Sequence, residues 1–228
     1  MDYHDKLIKN LETRIAEELE RIENPSGSNP ATLWEDNHVK DIRGQIEKLN
    51  ASELIFPPSY VIENPNIIDA AKKAFKTLTF NFCFTGRAGV GKTYLMRIIK
   101  GGVYNCGLMH KTNSINCIED YDQYLKARKA DSTYHPDTKC QFLFIDDVGA
   151  EKPATDAAHS WIAGIIQERY EYWSKHPECS TIITTNLPTT DLIAIYGERV
   201  IDRMLDQYTF CKFTNESFRL RNQKVIEG

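Results

Sequence analysis

The sequence predicts an α/β protein built on a parallel sheet, and three observations predict it. Apolar segments of strand length alternate along the chain with longer segments of helical spacing. The clearest strands are apolar throughout, as in sheets that carry helices on both faces. Three of them end at Gly86, Asp146 and Asn186. Because ligands bind at the carboxyl ends of parallel strands, this pattern also predicts one binding site.

The composition is that of an ordinary globular protein. The 228 residues are 41% hydrophobic and 26% charged, and their number suits one domain with an appendage. No apolar run approaches the length of a membrane-spanning helix, and the first residues lack the apolar core of a signal peptide. The six cysteines are scattered without C-x-x-C spacing, which is typical of reduced thiols and not of a zinc site. We therefore expect a cytoplasmic protein with no membrane partner.

The net charge of −4 is concentrated near the N-terminus. Residues 1–50 carry 7 Lys and Arg against 11 Asp and Glu, and the remaining residues carry 21 of each. An acidic segment disfavours a basic nucleic-acid arm and favours a protein partner. Any contact with DNA must therefore come from a local patch.

The N-terminal segment predicts two amphipathic helices. Residues 4–23 place Ile and Leu at steps of three and four, and a second apolar seam runs from Leu33 to Leu49. Prolines and a glycine separate the two seams. A helical hairpin of this size is too small to be stable alone, so its seam must rest on the main domain, on a second copy or on another protein. We interpret residues 1–50 as a partner-binding domain and 51–65 as a linker.

Residues 66–228 predict the elements of the main domain in order. A helix at 66–76 precedes a strand at 79–85, and the next helix begins at Lys92 and stops at the Gly101-Gly102 pair. The later predicted elements are a strand within 108–118, a helix at 119–129, a strand at 141–147, a helix at 154–174, a strand at 180–186, a helix at 189–206 and a strand at 208–214.

A glycine-rich segment joins the first of these strands to its helix, in the context of a phosphate-binding P-loop. Its residues are Gly86-Arg87-Ala88-Gly89-Val90-Gly91-Lys92-Thr93. The glycines let the backbone curl so that N–H groups point at an anion, and the helix adds its positive end. Lys92 is placed to reach the β- and γ-phosphates and the Thr93 hydroxyl to bind Mg²⁺. The segment predicts a nucleoside triphosphate site, with the next residue, Tyr94, as a further contact.

A second nucleotide motif is the apolar strand that ends in Asp146 and Asp147. Asp146 suits Mg²⁺ ligation, directly or through water, and Asp147 is placed to orient or deprotonate the attacking water. Asn186, at another strand end, is either a ligand of the γ-phosphate or water, or a polar loop residue. Arg199, four residues before Arg203, is either part of a solvated helix face or a cation supplied to a neighbouring subunit.

Together these motifs resemble the AAA+ ATPases of the DnaC/IstB group, which comprises replicative helicase loaders and transposition helper proteins. The resemblance covers residues 55–222 and uses the segments 86–93, 144–151, 168–170, 183–188, 197–204 and 216–219. The last two segments are more similar to the loaders. The resemblance implies an AAA+ P-loop core with a five-stranded parallel sheet flanked by helices. Little or no C-terminal lid is expected, because few residues follow Arg219.

The resemblance also implies roles for three of these residues. Asn186 matches the first sensor of the family, Arg199 its trans-acting arginine finger and Arg219 its second sensor arginine. The segment that contributes to single-stranded DNA binding in the loaders corresponds here to a basic helix with interleaved tyrosines. Its candidate residues are Tyr124, Lys126, Arg128 and Lys129. Base stacking and phosphate contacts suit these residue types, and a solvated helix face suits them equally.

We therefore expect an ATP-dependent loader of a replicative DNA helicase, encoded by a bacterium or a phage. ATP and Mg²⁺ are the expected cofactors. The expected partners are the helicase, through residues 1–50, single-stranded DNA, and further copies of the ATPase domain. Two alternatives stay open. One is a transposition helper that acts on target DNA, and the other is a nucleotide-gated adaptor with little turnover.

Overall fold

A computed structural model describes residues 3–23, 33–51, 53–57, 60, 63–131, 136–151 and 156–218. The helices in these ranges are α1 (Tyr3–Glu23), α2 (Leu33–Ala51), α3 (Pro65–Thr77), α4 (Lys92–Asn105), α5 (Asp120–Ala130), α6 (Asp156–Lys175), α7 (Thr189–Tyr196) and α8 (Glu198–Gln207). The strands are β1 (Asn81–Thr85), β2 (Thr112–Asn116), β3 (Phe142–Val148), β4 (Ser180–Thr185) and β5 (Thr209–Lys212). In this part of the chain, no helix combines the length and apolarity needed to cross a membrane.

The five strands form one parallel sheet in the order β2-β3-β4-β1-β5. β1 therefore lies between β4 and β5, with Phe84 opposite Thr184 on one side and Cys211 on the other. Since all strands run the same way, the segments that follow β1, β3 and β4 meet at one edge of the sheet. The predicted α/β architecture is confirmed.

The sheet is covered on both faces because its strands are apolar on both faces. In β3, Phe142 and Phe144 join one apolar cluster, whereas Leu143 and Ile145 join the other. The first cluster contains buried residues of α1 to α4, and the second contains those of α5 to α8. This alternation in a continuously apolar strand is what burial between two helical layers requires.

The helical hairpin of α1 and α2 packs on the first face of the sheet domain. Leu11 and Ile42 are buried in the first cluster. The Tyr3 ring meets that of Phe142 edge-on, with 6.0 Å between centroids. Nζ of Lys111 donates a hydrogen bond of 3.2 Å to the Tyr3 hydroxyl. The sequence allowed the apolar seam of the hairpin to pack on the main domain, on a second copy or on another protein. In the structure it packs on the main domain.

Two glycine positions differ from the sequence prediction. The predicted stop at Gly101-Gly102 is wrong, because α4 continues to Asn105. A Cβ on Gly102 would lie 2.7 Å from Cζ of Phe75 and 2.8 Å from Cδ2 of Leu54, so this glycine permits close packing instead of ending the helix. The single helix predicted at 189–206 is divided into α7 and α8 at Gly197, whose φ is 86°.

A buried arginine holds together the amino ends of two strands, on the side of the sheet opposite to the carboxyl ends of β1, β3 and β4. Arg169 on α6 has no exposed surface. All its donor nitrogens are used at 2.7–3.3 Å, on the Thr181 hydroxyl and on the carbonyls of residues 138, 140, 141 and 180. The guanidinium offers five N–H donors in a fixed fork, which suits this set of acceptors. Arg169 thereby ties α6 to the starts of β3 and β4.

Candidate functional site

The P-loop follows β1 and has the backbone that its glycines allow. Gly86, Gly89 and Gly91 have φ values of 143°, 82° and 99°. A Cβ on Gly86 would lie only 2.6 Å from the carbonyl oxygen of Phe213, so a larger residue does not fit there. Val90 is buried beneath the loop, and α4 begins directly after it at Lys92. The backbone amides and the helix N-terminus therefore form an anion site.

The Lys92 ammonium connects the loop to the end of β4. Its Nζ donates three hydrogen bonds of 2.8 Å, to the carbonyl oxygens of Gly86 and Arg87 and to Oδ1 of Asn186. The residue is 5% exposed. The structure thus places Asn186, a predicted site residue, in contact with the P-loop lysine.

Asp146 and Thr93, the predicted metal ligands, place a carboxylate and a hydroxyl side by side next to the loop. Oδ1 of Asp146 accepts hydrogen bonds from the Thr93 hydroxyl at 2.8 Å and from the Thr184 hydroxyl at 2.5 Å. A carboxylate and a hydroxyl side by side fit Mg²⁺, which usually takes one or two carboxylates and completes its shell with water and phosphate oxygens. The predicted metal ligands Thr93 and Asp146 therefore lie together.

Asp147 lies where the regular geometry of β3 is interrupted. The pairing of β3 with β4 changes register between Ile145 and Val148, and Asp147 has a φ of 59°. Its backbone N–H donates to the Thr184 hydroxyl at 2.9 Å. Irregular pairing and a positive φ are typical of strand ends that direct a side chain into an active site. The half-buried Asp147 side chain lines the cavity beside the P-loop.

One cavity of about 760 Å³ is lined by most of the residues predicted for the nucleotide site, but not by Gly86, Arg87 or Val90. Those of its walls that the sequence predicted are Ala88, Gly89, Gly91, Lys92, Thr93, Tyr94, Asp146, Asp147 and Asn186. The others, which were not predicted as site residues, are Pro57, Tyr60, Arg97, Asn116, Ile118, Glu119 and Phe218, the last of which lies in the family-like segment 216–219. The volume suits a nucleotide.

Two of the unpredicted wall residues, Tyr60 and Phe218, belong to an aromatic cluster. The Tyr60 ring stacks on those of Phe56 and Phe218 at centroid distances of 6.4 and 6.0 Å, and the Tyr94 ring meets it edge-on at 5.3 Å. Tyr60 donates a 2.8 Å hydrogen bond from its hydroxyl to the Gly91 carbonyl, and burial raises its pKa, so the phenol remains a donor. The backbone N–H of Phe218 donates to the carbonyl oxygen of Gly89 at 3.0 Å. A residue before the sheet and a residue after it are thus both hydrogen-bonded to the P-loop backbone.

We expect Tyr60→Leu to raise the Kd for ATP about 30-fold, because one hydrogen bond and one aromatic contact contribute about 1 kcal/mol each and about 1.4 kcal/mol corresponds to a tenfold change in Kd. Turnover at saturating ATP should change less than about twofold, since Tyr60 bonds to the backbone of the P-loop and not to a predicted catalytic side chain. Titration with a fluorescent ATP analogue measures the effect. Tyr60→Phe is the matched control, which keeps the ring and should lose less affinity. An unchanged Kd for Tyr60→Leu would show that the aromatic wall does not contact the base.

Of the two predicted arginines, Arg199 lies within the described residues. Arg199 is exposed in the first turn of α8 and does not line the cavity. Its neighbour Arg203 packs on α6 instead, with its guanidinium 5.3 Å from the centre of the Tyr170 ring and Nη1 3.9 Å from Oε1 of Glu171. Arg219 lies outside the described residues.

The residues predicted to bind DNA lie on α5, which follows the cavity-lining residues at the end of β2. Lys126, Arg128 and Lys129 are exposed. Tyr124 is half-buried, and its ring stacks on that of Trp161 with 5.0 Å between centroids. One face of Tyr124 is therefore already occupied, which leaves the three cations as the accessible part of this segment.

Comparison with known proteins agrees with this geometry. The profile of the IstB-like ATP binding protein family matches residues 56–225, which is well over half of the chain. No curated protein sequence matches the chain.

Several solved structures share the fold at low sequence identity. The DnaC helicase loader is 22% identical, with 69% of this chain and 100% of that chain covered and a TM-score of 0.51. AMPPCP-bound DnaA from Aquifex aeolicus is 14% identical, with coverages of 72% and 50% and a TM-score of 0.52. Domain III of the Thermotoga maritima replication initiation protein DnaA is 17% identical, with coverages of 70% and 68% and a TM-score of 0.50. The chain therefore belongs to the IstB-like ATP binding protein family and is an AAA+ protein of the DnaC/IstB group.

Proposed function

We propose that the protein is a Mg²⁺-dependent ATPase that loads a replicative DNA helicase onto single-stranded DNA. The ATPase part rests on one observation, the meeting of Lys92, Asp146, Asp147 and Asn186 at a single cavity beside the P-loop. The loader part is supported by the loader-like segments 197–204 and 216–219. The likeness in fold to the DnaC helicase loader, which covers all of that chain, agrees with it.

In this proposal, the P-loop amides and Lys92 hold the phosphates of ATP. Gly86, Gly89 and Gly91 keep the amides turned toward the anion, and Lys92 exchanges a carbonyl acceptor for a phosphate oxygen. When it is bound by Thr93 and Asp146, Mg²⁺ neutralises charge on the phosphates. The aromatic wall around Tyr60 takes the base.

Hydrolysis requires a positioned water molecule. Asp147 accepts a proton from the water as its oxygen attacks the γ-phosphorus, and the bond between that phosphorus and the ADP oxygen breaks. Oδ1 of Asn186 accepts a hydrogen bond from Nζ of Lys92, so the amide N–H groups of Asn186 are directed toward the water or the γ-phosphate. The products are ADP and inorganic phosphate.

Arg199 completes the site of a neighbouring copy. Its exposure and its position outside its own cavity favour action in trans. Positive charge supplied to the transferring phosphate is worth about 10³–10⁵ in turnover in other NTPases. Arg219, the second sensor arginine in the resemblance, is proposed to contact the nucleotide.

The remaining surfaces are assigned to the other partners. The hairpin of α1 and α2 belongs to the acidic segment 1–50 and carries Leu19 at 38% exposure, which suits a protein partner, here the helicase. The exposed cations Lys126, Arg128 and Lys129, with Tyr124 beside them, are assigned to single-stranded DNA.

A second candidate function is that of a transposition helper ATPase that acts on target DNA. The match to the IstB-like family profile favours it. The same catalytic cavity serves either task. The two functions differ in the protein that the chain captures.

Asp147→Asn separates these functions by trapping the ATP-bound state. Loss of a general base lowers turnover by about 10²–10⁴, whereas ATP binding through the P-loop should persist. In a pull-down with ATP, we expect this variant to retain the host's replicative helicase, and the wild type to release it as ATP is consumed. Quantitative mass spectrometry of the captured proteins is the measurement.

The wild type with a non-hydrolysable ATP analogue is the control and should behave like the variant. Capture of a transposase without the helicase would establish the transposition helper. Helicase capture by a wild type whose ATP turnover equals that of Asp147→Asn would establish a nucleotide-gated adaptor.

A further inference from the structure

The loop after β3 contains a buried carboxylate that the proposed hydrolysis does not use. Glu151 is 2% exposed. Its Oε1 accepts a hydrogen bond from the Gly149 N–H at 3.1 Å and a second from the Tyr196 hydroxyl. Within the described part of the chain, Oε2 has no hydrogen-bond donor, although Nε2 of His159 lies 3.8 Å away. A buried carboxylate with so few partners depends strongly on each of them.

Tyr196 links this carboxylate to the helix that carries Arg199. It is the last residue of α7 and is 7% exposed, and α8 begins two residues later, after Gly197. Burial raises the pKa of Tyr196, and its hydrogen bond to Glu151 raises it further, so the phenol remains a donor. Arg199, in the first turn of α8, is three residues from this anchor.

A second contact joins the same two segments. Gly149 has a φ of 90°, and a Cβ there would lie 2.4 Å from Cδ1 of Leu187 and 3.8 Å from Cδ2 of Leu192. The β3 loop is therefore packed directly against the start of α7 and hydrogen-bonded to its end. Movement of the loop that follows Asp146 and Asp147 must reach α7 through these contacts.

We propose that the Tyr196–Glu151 hydrogen bond positions Arg199 relative to the catalytic end of β3, so that each subunit's own nucleotide site adjusts the arginine that it presents to its neighbour. This inference rests on the proposed function, in which Arg199 acts on the neighbour's ATP. Tyr196 and Glu151 are positioning residues in it, because neither lines the cavity. Gly197, between anchor and finger, is the point at which the backbone turns.

A double-mutant cycle on the full-length protein tests the inference. Tyr196→Phe should lower kcat about tenfold with an unchanged KM for ATP, since misplacing an oriented group by about 1 Å costs up to about 100-fold. In an Arg199→Ala background, the same change should have no further effect, because the group that it positions is absent. A merely structural role would lower turnover equally in both backgrounds, and that result overturns the inference.

Glu151→Gln is the conservative control. Its amide oxygen still accepts from the Tyr196 hydroxyl and the Gly149 N–H, so kcat should stay within about twofold of the wild type. A loss as large as that of Arg199→Ala would overturn the inference. If Tyr196→Phe does not fold, Tyr196→Phe/Glu151→Leu replaces it in the cycle, since removing both partners leaves no unpaired carboxylate.

The single variant Arg199→Ala distinguishes failure of this inference from failure of the proposed function. If Arg199→Ala leaves turnover unchanged, the trans role of Arg199 is overturned and the positioning role falls with it. If Arg199→Ala lowers turnover but Tyr196→Phe acts independently of it, only the positioning role is overturned. Thermal melting of each variant shows whether it is folded.

Discussion

Replacing Lys92 by alanine is expected to lower kcat/KM for ATP at least about 100-fold. The buried ammonium donates to Gly86, Arg87 and Asn186, and in the proposed ATP complex it also meets the phosphates. A hydrogen bond to a charged group contributes about 1.5–3 kcal/mol, and about 1.4 kcal/mol corresponds to a tenfold change in rate. The variant also frees Asn186 from its contact with the loop. Phosphate release at several ATP concentrations measures the loss.

Lys100→Ala is the matched control for this prediction. Lys100 lies on the same helix, but it does not line the cavity, and its Nζ lies 5.6 Å from the centre of the Tyr104 ring. We expect turnover within about twofold of the wild type, as for most changes at the periphery of a helix. Equal activity of Lys92→Ala and the wild type would show that the cavity is not the hydrolytic site.

Arg169→Met is expected to lower the free energy of unfolding by about 3–5 kcal/mol, because several buried acceptors lose their donor and each such loss costs about 1–3 kcal/mol. Methionine has a similar length but no donor. The Thr181 hydroxyl and the four carbonyls that now accept from the guanidinium would stay buried with fewer partners. Equilibrium unfolding in urea, followed by circular dichroism, measures the change.

The control for Arg169→Met is Arg128→Met, the same substitution at an exposed position of α5. Replacing an exposed arginine that makes no special contacts usually changes the free energy of unfolding by less than about 0.5 kcal/mol. A decrease in the free energy of unfolding of less than about 1 kcal/mol for Arg169→Met would contradict the prediction. It would mean that the buried acceptors find other donors when the guanidinium is absent. Arg169→Lys should fall between the two, because an ammonium offers three donors where the guanidinium offers five.

The elements that were predicted well are those in which local pattern and global fold agree. The P-loop from Gly86 to Thr93 was recognisable because its residue types are dictated by one backbone shape. Strand β3 was recognisable because burial on both faces leaves an apolar run that ends at Asp146 and Asp147. Asn186 followed from the parallel sheet, which brings strand ends together, and its 2.8 Å contact with Lys92 agrees.

The elements that were missed depend on contacts between distant parts of the chain. Tyr60 precedes the P-loop by some thirty residues and Phe218 follows it by far more, so only the folded chain shows that their rings stack. Gly102 read as a helix stop, because the close approach of Phe75 is not visible along the sequence. Arg169 lies in the segment 168–170 that contributed to the family resemblance, but its role in the sheet was not predicted, since its acceptors are mostly backbone carbonyls, which any sequence supplies.

The bonds from Tyr60 and Phe218 to the P-loop change what counts as the nucleotide-binding unit. Judged from the sheet alone, the nucleotide-binding unit would begin near β1 and end in β5. The hydroxyl of Tyr60 and the backbone N–H of Phe218 lie beyond those limits, and they bond to Gly91 and Gly89. The connector between hairpin and sheet is therefore part of the pocket as well as a tether. A pull on the hairpin by a bound partner would reach the phosphate loop through the Tyr60 hydroxyl as well as through the packing of the hairpin on the sheet domain.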